Sequence, residues 1–300
     1  MKLYYLFILF GLYTVCPLQA GNELREQLQG IITKADAQVG VALIVDGKDT
    51  LTLNNEAHYP LMSVMKYHQA LAVAHYLDVH RLPLSTSIPI EEEDLHPDTY
   101  SPLRDRYPKG GVRLSVSELL TYTLQLSDNN ACDILFDYTG GVAQTESYLR
   151  SIGCSGFALS ATENDMHQDL SRCYDNWSTP LSAAQLMDRL VTDTLPIDTT
   201  YTRFIRETLL FCQTGKSRLP FPLQGTDVQI GHKTGTSDRN AQGEWIGIND
   251  VGFVLLPDGK RYTLAVLVKH SKHRFEDTEK IIADVSTAVF RFLTGSMVSF

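Results

Sequence analysis

Two Asp-Gly turns, one near each end of the chain and each flanked by apolar runs, constrain the fold more than any other feature. Asp46-Gly47 lies between residues 39–45 and 50–53, and Pro257-Asp258-Gly259-Lys260 lies between residues 251–256 and 262–268. Asp-Gly between two such runs is a hairpin signal, because both residues tolerate positive φ. Helices frame the hairpins. Leu24, Leu28, Ile31 and Ile32 recur at i, i+4, i+7 and i+8 before the first, and a closing helix is expected around residues 278–293 after the second. Between the ends the pattern turns helical. Met65, Ala72, Val73, Tyr76 and Leu77 mark one buried stripe, and Ser115 with Glu118 forms a capping box that opens a run through Leu126. Thr179-Pro180 starts a further helix, and Gly215 is expected to stop the one that runs through residues 204–211. The chain reads as an α/β protein: an antiparallel sheet built from both ends, residues 21–56 and 206–300, with an all-helical domain inserted over residues 57–205.

Residues 1–20 stand apart. Lys2 precedes an apolar run over residues 3–15, and Leu18-Gln19-Ala20 ends in a small residue. The run falls short of the roughly 20 residues of a spanning helix. It therefore reads as a signal peptide cut near Ala20, giving a periplasmic or secreted protein with no stable membrane insertion. Lipidation at Cys16 is disfavoured by the Tyr13-Thr14-Val15 before it. For Cys132, Cys154, Cys173 and Cys212 the irregular spacing favours free thiols, with a Cys154–Cys173 bridge as the alternative. The chain is globular in composition, 43% hydrophobic and 20% charged, and its formal charge of −9 lacks the basic footprint of a nucleic-acid binder.

Three short motifs carry the chemistry. Ser63-Val64-Met65-Lys66 opens the first inserted helix, so hydroxyl and amine share one face, one turn apart. A serine is a weak nucleophile until a neighbouring base takes its proton, and the helix start supplies unpaired N–H groups for a developing oxyanion. Alone this motif decides nothing, because Ser-x-x-Lys arises roughly once in a chain of this length. Ser127-Asp128-Asn129 falls on the connection after the capped helix, and Lys233-Thr234-Gly235-Thr236 ends a strand-like run beginning near Val228. Gly235 there lets a ligand approach the backbone closely. All three in this order, on a helix, a loop and a strand, defeat the chance explanation.

The set resembles the penicillin-recognising serine enzymes, and its spacing is similar to that of class A β-lactamases. The resemblance covers nearly all of the chain after residue 20, and Tyr100-Ser101-Pro102 adds to it. It implies a five-stranded antiparallel sheet flanked by helices, a cleft between the sheet and the helical domain, a small-molecule β-lactam substrate, no cofactor, and a monomer. By the resemblance, Ser63 attacks the lactam carbonyl and loses its proton to Lys66, or through water to Glu163. Ser127 relays a proton to the leaving nitrogen, and Lys233 supplies positive potential. The N–H groups of Ser63 and Thr236 form the oxyanion hole. Asn129 binds the substrate's side-chain amide, Thr234, Thr236 and Arg218 take its carboxylate, Tyr100 walls the entrance, and Gly235 and Ser237 complete the substrate-binding edge.

The segment Glu163-Asn164-Asp165-Met166-His167, on a loop between Ser160 and Trp177 with no clear helical period, separates two functions. A carboxylate beside the acyl ester can deprotonate a water and free the enzyme, a general-base effect of typically ~10²–10⁴-fold. The alternative is a penicillin-binding D-Ala-D-Ala peptidase or a β-lactam sensor, which stays acylated. Departures from the commonest class A pattern are expected to matter. Asn164 stands where many members have proline, so a trans Glu163–Asn164 bond is expected. His167 stands where asparagine usually holds the water, and Asp133, again in place of asparagine, is expected to fix the loop through backbone N–H groups. The carboxylate-binding arginine is expected from Arg218, since Asn249-Asp250-Val251 contains none. Together these features resemble the cephalosporin-preferring branch. The nine histidines show no metal-binding spacing, and no nucleotide or phosphate motif occurs.

Overall fold

The hairpin signals hold in the structure, a computed structural model that describes residues 17–295. The apolar run of the leader and Cys16 lie outside the described residues. In chain order the strands are β1 (Gln38–Val45), β2 (Asp49–Leu53), β3 (Tyr59–Pro60), β4 (Ser87–Ile90), β5 (Val112–Ser115), β6 (Phe157–Ala158), β7 (Trp177–Ser178), β8 (Gln229–Thr236), β9 (Ile248–Leu255) and β10 (Arg261–Lys269). The helices are α1 (Pro17–Thr33), α2 (Met65–His80), α3 (Pro102–Arg106), α4 (Val116–Gln125), α5 (Asn129–Tyr138), α6 (Val142–Ser151), α7 (Glu163–Gln168), α8 (Pro180–Val191), α9 (Thr199–Leu210) and α10 (Phe275–Thr294).

The main sheet is five-stranded, in the order β2-β1-β10-β9-β8, with every pairing antiparallel. Val45 pairs with Asp49, so the first hairpin closes over Asp46, Gly47 and Lys48, the first two at positive φ. Alternation along the strands divides the interior in two. Val39, Val41 and Leu43 face Leu24, Leu28, Ile282 and Val289 of α1 and α10, whereas Ala42, Ile44, Ala265 and Leu267 face the helical side. The sheet is thus the middle layer, and the helical half of the chain packs on one face only.

Two expectations about that half need correction. The inserted region is not all-helical: β4 pairs with β5, and β3, β7 and β6 form a small second sheet. Strands of two to four residues are too short to show a period of two. Second, α2 carries no single stripe. It is buried continuously from Met65 to Ala74, including Lys66, His68 and Gln69, as expected of a helix enclosed by others. The capping box at Ser115 and Glu118 is present, and Thr179 caps α8 ahead of Pro180. The helix expected to stop at Gly215 ends earlier, at Leu210, with Phe211 as its cap. Cys132, Cys154, Cys173 and Cys212 are all free.

Candidate active site

Ser63, the expected nucleophile, follows a sharp bend in the chain. Met62 has φ of 49°, a left-handed conformation that a side chain resists, and a 3₁₀ turn over Met62–Val64 leads into α2. Asn249 on β9 holds this bend, its Nδ2 donating to the carbonyls of Pro60 at 2.7 Å and Leu61 at 3.2 Å. Gly235 explains the close approach of β8, since a Cβ there would lie 2.5 Å from Leu61 O. Ser63 is the one partly exposed residue in the run from Leu61 to Ala74. The motif's spacing places Lys66 a turn further into the helix, with no exposure.

The remaining motifs converge on these two residues. Lys66 Nζ lies 3.0 Å from Glu163 Oε1 and donates to Ser127 O at 2.6 Å and Asn129 Oδ1 at 2.6 Å. Ser63 Oγ donates to the same Glu163 oxygen at 3.3 Å. Lys233 Nζ donates to Ser127 Oγ at 2.9 Å, and Lys66 Nζ reaches that hydroxyl at 3.5 Å. Burial, together with the neighbouring Lys66 ammonium, pulls Lys233 down to about 7. A carboxylate therefore contacts the serine and links it to the Lys66 amine, while a second hydroxyl lies between two amines. This arrangement can pass a proton from Ser63 toward a leaving group on the Ser127 side.

Local anchors fix each loop. Asp128 caps α5 and is fully buried, its carboxylate accepting from Ala131 N at 2.9 Å, Leu103 N at 2.6 Å and Ser101 Oγ at 3.0 Å. It thereby ties the Ser-Asp-Asn turn to the segment carrying Tyr100, which is 58% exposed. Asn129 Nδ2 donates to Thr99 Oγ1 at 2.6 Å, which orients the amide oxygen toward Lys66.

Glu163 does not lie in an irregular loop. It opens the short helix α7, capped by a reciprocal Thr162–Asp165 box. Asp133, on α5, accepts from Glu163 N and Asn164 N at 2.8 Å each, the anchoring expected of it. Burial and the nearby Glu163 push the Asp133 carboxyl up to about 7. The Glu163–Asn164 bond is trans, as expected from the missing proline. Asn176 closes the same segment, accepting from Ser160 N and Ala161 N at 2.8 and 3.0 Å and returning a bond to Ala161 O. His167 is exposed in the last turn of α7.

The strand edge is organised by Arg218, which is 2% exposed rather than a surface loop residue. Its Nη1 donates to Gly235 O and Asn249 O, its Nε to Glu279 Oε1 at 2.9 Å, and its Nη2 to Thr236 Oγ1 at 2.8 Å. The guanidinium thus orients Thr236 from behind. The Thr234 hydroxyl is 2.6 Å from that of Thr214. Ser237, expected to face substrate, is buried, and its Oγ accepts from Gly247 N at 2.9 Å. Sequence reasoning missed Thr99, Asn176, Glu279 and the structural part of Asn249. Only the Thr162–Asp165 box left a readable signal. Among the described residues, no group of three or more His, Cys, Asp and Glu side chains is arranged to hold a metal ion.

Comparison with known proteins agrees with this geometry. Residues 23–293 match the model of the β-lactamase enzyme family. A β-lactamase of Bacteroides uniformis is 37% identical over 97% of this chain and 99% of its own. The crystal structure of a class A β-lactamase from Bacteroides cellulosilyticus superposes with a TM-score of 0.87 at 38% identity, covering 92% of this chain and 99% of that one. The TLA-1 extended-spectrum β-lactamase does so with 0.88 at 34% identity, covering 91% and 99%. With its three motifs assembled around one serine and this similarity along almost its whole length, the chain belongs to the class A β-lactamases, on their extended-spectrum side.

Proposed function

We propose that Ser63 carries the acyl group in β-lactam hydrolysis, that Lys66 and Glu163 share its activation, and that Glu163 alone activates the deacylating water. The observation carrying this reading is the single Glu163 oxygen placed 3.3 Å from Ser63 Oγ and 3.0 Å from Lys66 Nζ. A base within reach of the nucleophile is within reach of a water beside the ester that nucleophile forms. Ser127, hydrogen-bonded to Lys233, delivers the proton to the departing nitrogen, and the N–H groups of Ser63 and Thr236 receive the oxyanion. Asn129 meets the substrate's side-chain amide. Thr234 and Thr236 meet its carboxylate, with Arg218 holding Thr236 in place and one of its Nη2 hydrogens directed to the same anion. Tyr100 walls the entrance, and His167, four residues after Glu163, steadies the water. The backbone of Gly235 and Ser237 lines the substrate's edge.

The substrates are cephalosporins and penicillins. The extended-spectrum name of a relative and the Arg218 position support that range. The enzyme acts as a monomer in the periplasm or outside the cell after removal of the leader, where β-lactams are met.

Mass spectrometry of the purified enzyme minutes after mixing with a cephalosporin tests the roles. Ser63→Ala is expected to form no adduct and turn nothing over. Glu163→Gln is expected to accumulate one acyl group per chain, with turnover lower by about 10²–10⁴-fold. An adduct on Glu163→Gln no longer-lived than on the parent enzyme would refute the assignment of the base. A persistent adduct on the parent enzyme, without turnover, would make the chain a penicillin-binding protein.

A further inference from the structure

Three groups that this mechanism leaves unused meet behind the catalytic strand. Cys212 follows the end of α9, His232 precedes Lys233 on β8, and Asp250 stands on β9 in register with Thr234. The Asp250 carboxylate is fully buried and takes His232 Nδ1 at 2.9 Å. It also accepts from Leu219 N at 3.1 Å, which fixes its plane. Cys212 lies beside the same ring, near enough for an imidazolium and a thiolate there to stabilise one another. A thiol facing an imidazole that is itself oriented by a carboxylate is the arrangement that converts a thiol into a nucleophile.

The cluster is joined to the active site. Cys212 Sγ lies 3.4 Å from Thr214 Oγ1, which is 2.6 Å from Thr234 Oγ1, and His232 adjoins Lys233 in the chain. The connecting segment has no slack. Gly215, at φ of 65°, runs so close to β8 that a Cβ on it would lie 2.5 Å from Thr234 Cγ2.

We propose that Cys212 is a covalent modification site for small disulfides and soft electrophiles, and that its occupation lowers β-lactam hydrolysis by displacing Thr214 and the strand carrying Lys233 and Thr234. With a disulfide, the Cys212 thiolate attacks one sulfur, a new S–S bond forms and the old one breaks. The departing thiolate leaves with the electron pair, staying ionised where its thiol is acidic and otherwise taking a proton from the solvent. Cys212 is thereby oxidised and the released sulfur reduced, while the proton Cys212 gave up stays on His232, paired with Asp250.

The other cysteines serve as internal controls. Burial pushes the thiols of Cys132, Cys154 and Cys173 up, the last to about 12. Cys212 is partly exposed. Burial opposes its ionisation too, but His232, Lys233 and the Thr214 hydroxyl outweigh that and bring it down to about 7. Burial likewise opposes the charge on His232, and Asp250 with Cys212 raises it to about 10.

The test treats the purified enzyme at pH 7 with an aryl disulfide whose released thiolate absorbs visible light, and separately with iodoacetamide, while following peptide mass and cephalosporin hydrolysis. One adduct is expected, on Cys212, with hydrolysis falling in step and returning when dithiothreitol removes the disulfide adduct. The labelling rate is expected to reach half its plateau near pH 7. In His232→Asn it is expected to fall roughly fivefold at pH 7, because the smaller thiolate fraction outweighs the greater reactivity of the thiolate that remains. Cys212→Ala is expected to hydrolyse cephalosporins and ignore both reagents. Equal labelling of Cys154 or Cys173, a half-plateau above about pH 8.5, or a complete Cys212 adduct that leaves hydrolysis unchanged would each overturn the proposal.

Discussion

Replacing Asp133 by alanine separates acylation from deacylation. Its two carboxylate oxygens each accept a backbone N–H, from Glu163 and Asn164, at 2.8 Å in a site where both acids are nearly buried. A hydrogen bond to a charged group contributes about 1.5–3 kcal/mol, so the pair contributes about 3–6 kcal/mol. Removing the acid also relieves its repulsion with Glu163 and the cost of its own burial, leaving a net loss of about 2–4 kcal/mol. That loss falls on the first turn of α7, whose N–H groups have no partner within the helix. If it lifts Glu163 away from the ester, deacylation slows by about 30- to 1,000-fold, at tenfold per ~1.4 kcal/mol. Rapid-mixing kinetics with a chromogenic cephalosporin would show a burst of one equivalent followed by slow release. kcat and KM are expected to fall together while kcat/KM, which reports acylation, changes little. Either a kcat within twofold of the parent enzyme, or a kcat/KM that falls in proportion to kcat, would refute a loop-anchoring role for Asp133.

Two further outcomes follow from the same geometry. In the folded protein the Asp133 carboxyl is held up to about 7 by burial and by Glu163, against about 3.9 in an unfolded chain. The folded state therefore binds that proton more tightly, and the stability this group contributes is complete below about pH 4 and lost as pH rises through about 7. Asp133→Asn has no such proton, so urea midpoints should show it gaining stability relative to the parent between pH 4 and pH 8; parallel curves would contradict the sign. Arg218→Ala leaves Glu279 and the carbonyls of Gly235 and Asn249 without their buried donor. It is expected to cost about 3–5 kcal/mol in urea unfolding and to raise KM for carboxylate-bearing β-lactams, and a stability change below about 1 kcal/mol would show the pair to be solvated.

What the sequence disclosed was chemistry that demands particular residues at short, fixed spacing. Ser63 and Lys66 lie one helical turn apart, Ser127 and Asn129 flank a capping residue, and Lys233 to Thr236 occupy one strand. The hairpins were legible for the same reason, since positive φ at Asp46 and Gly47 restricts residue choice locally. α7 was hidden because six residues hold too few apolar positions to show a period, although its Thr162–Asp165 box was present to be read. Gly215 misled because a left-handed glycine serves a helix stop and a close backbone approach equally well, and here it serves the second. Asn176 and Asn249 left no trace. A buried asparagine satisfied by main-chain groups looks in sequence like any exposed one, and its partners lie far away along the chain.

The two hydroxyls of the proposed mechanism share a backbone feature. Ser127 itself has φ of 62°, and Met62, immediately before Ser63, has φ of 49°. Each such conformation costs about 1–2 kcal/mol and persists only where surrounding contacts leave no alternative. Around Met62 those contacts are the Asn249 amide and the close approach of Gly235; around Ser127 they are the bonds of its carbonyl and hydroxyl to Lys66 and Lys233. The second set comes from the two amines to which the proposed mechanism gives catalytic roles. Lys233→Ala would therefore remove more than a positive potential, because it also removes one of the contacts that hold a strained residue. A loss of activity in that variant measures both effects at once. Lys233→Arg separates them: the guanidinium keeps the charge, but its planar fork cannot occupy the single position from which the amine meets Ser127 Oγ at 2.9 Å and Thr234 O at 2.9 Å. Activity retained in the arginine variant would assign the lysine's contribution to charge, and activity lost in both variants would assign it to position.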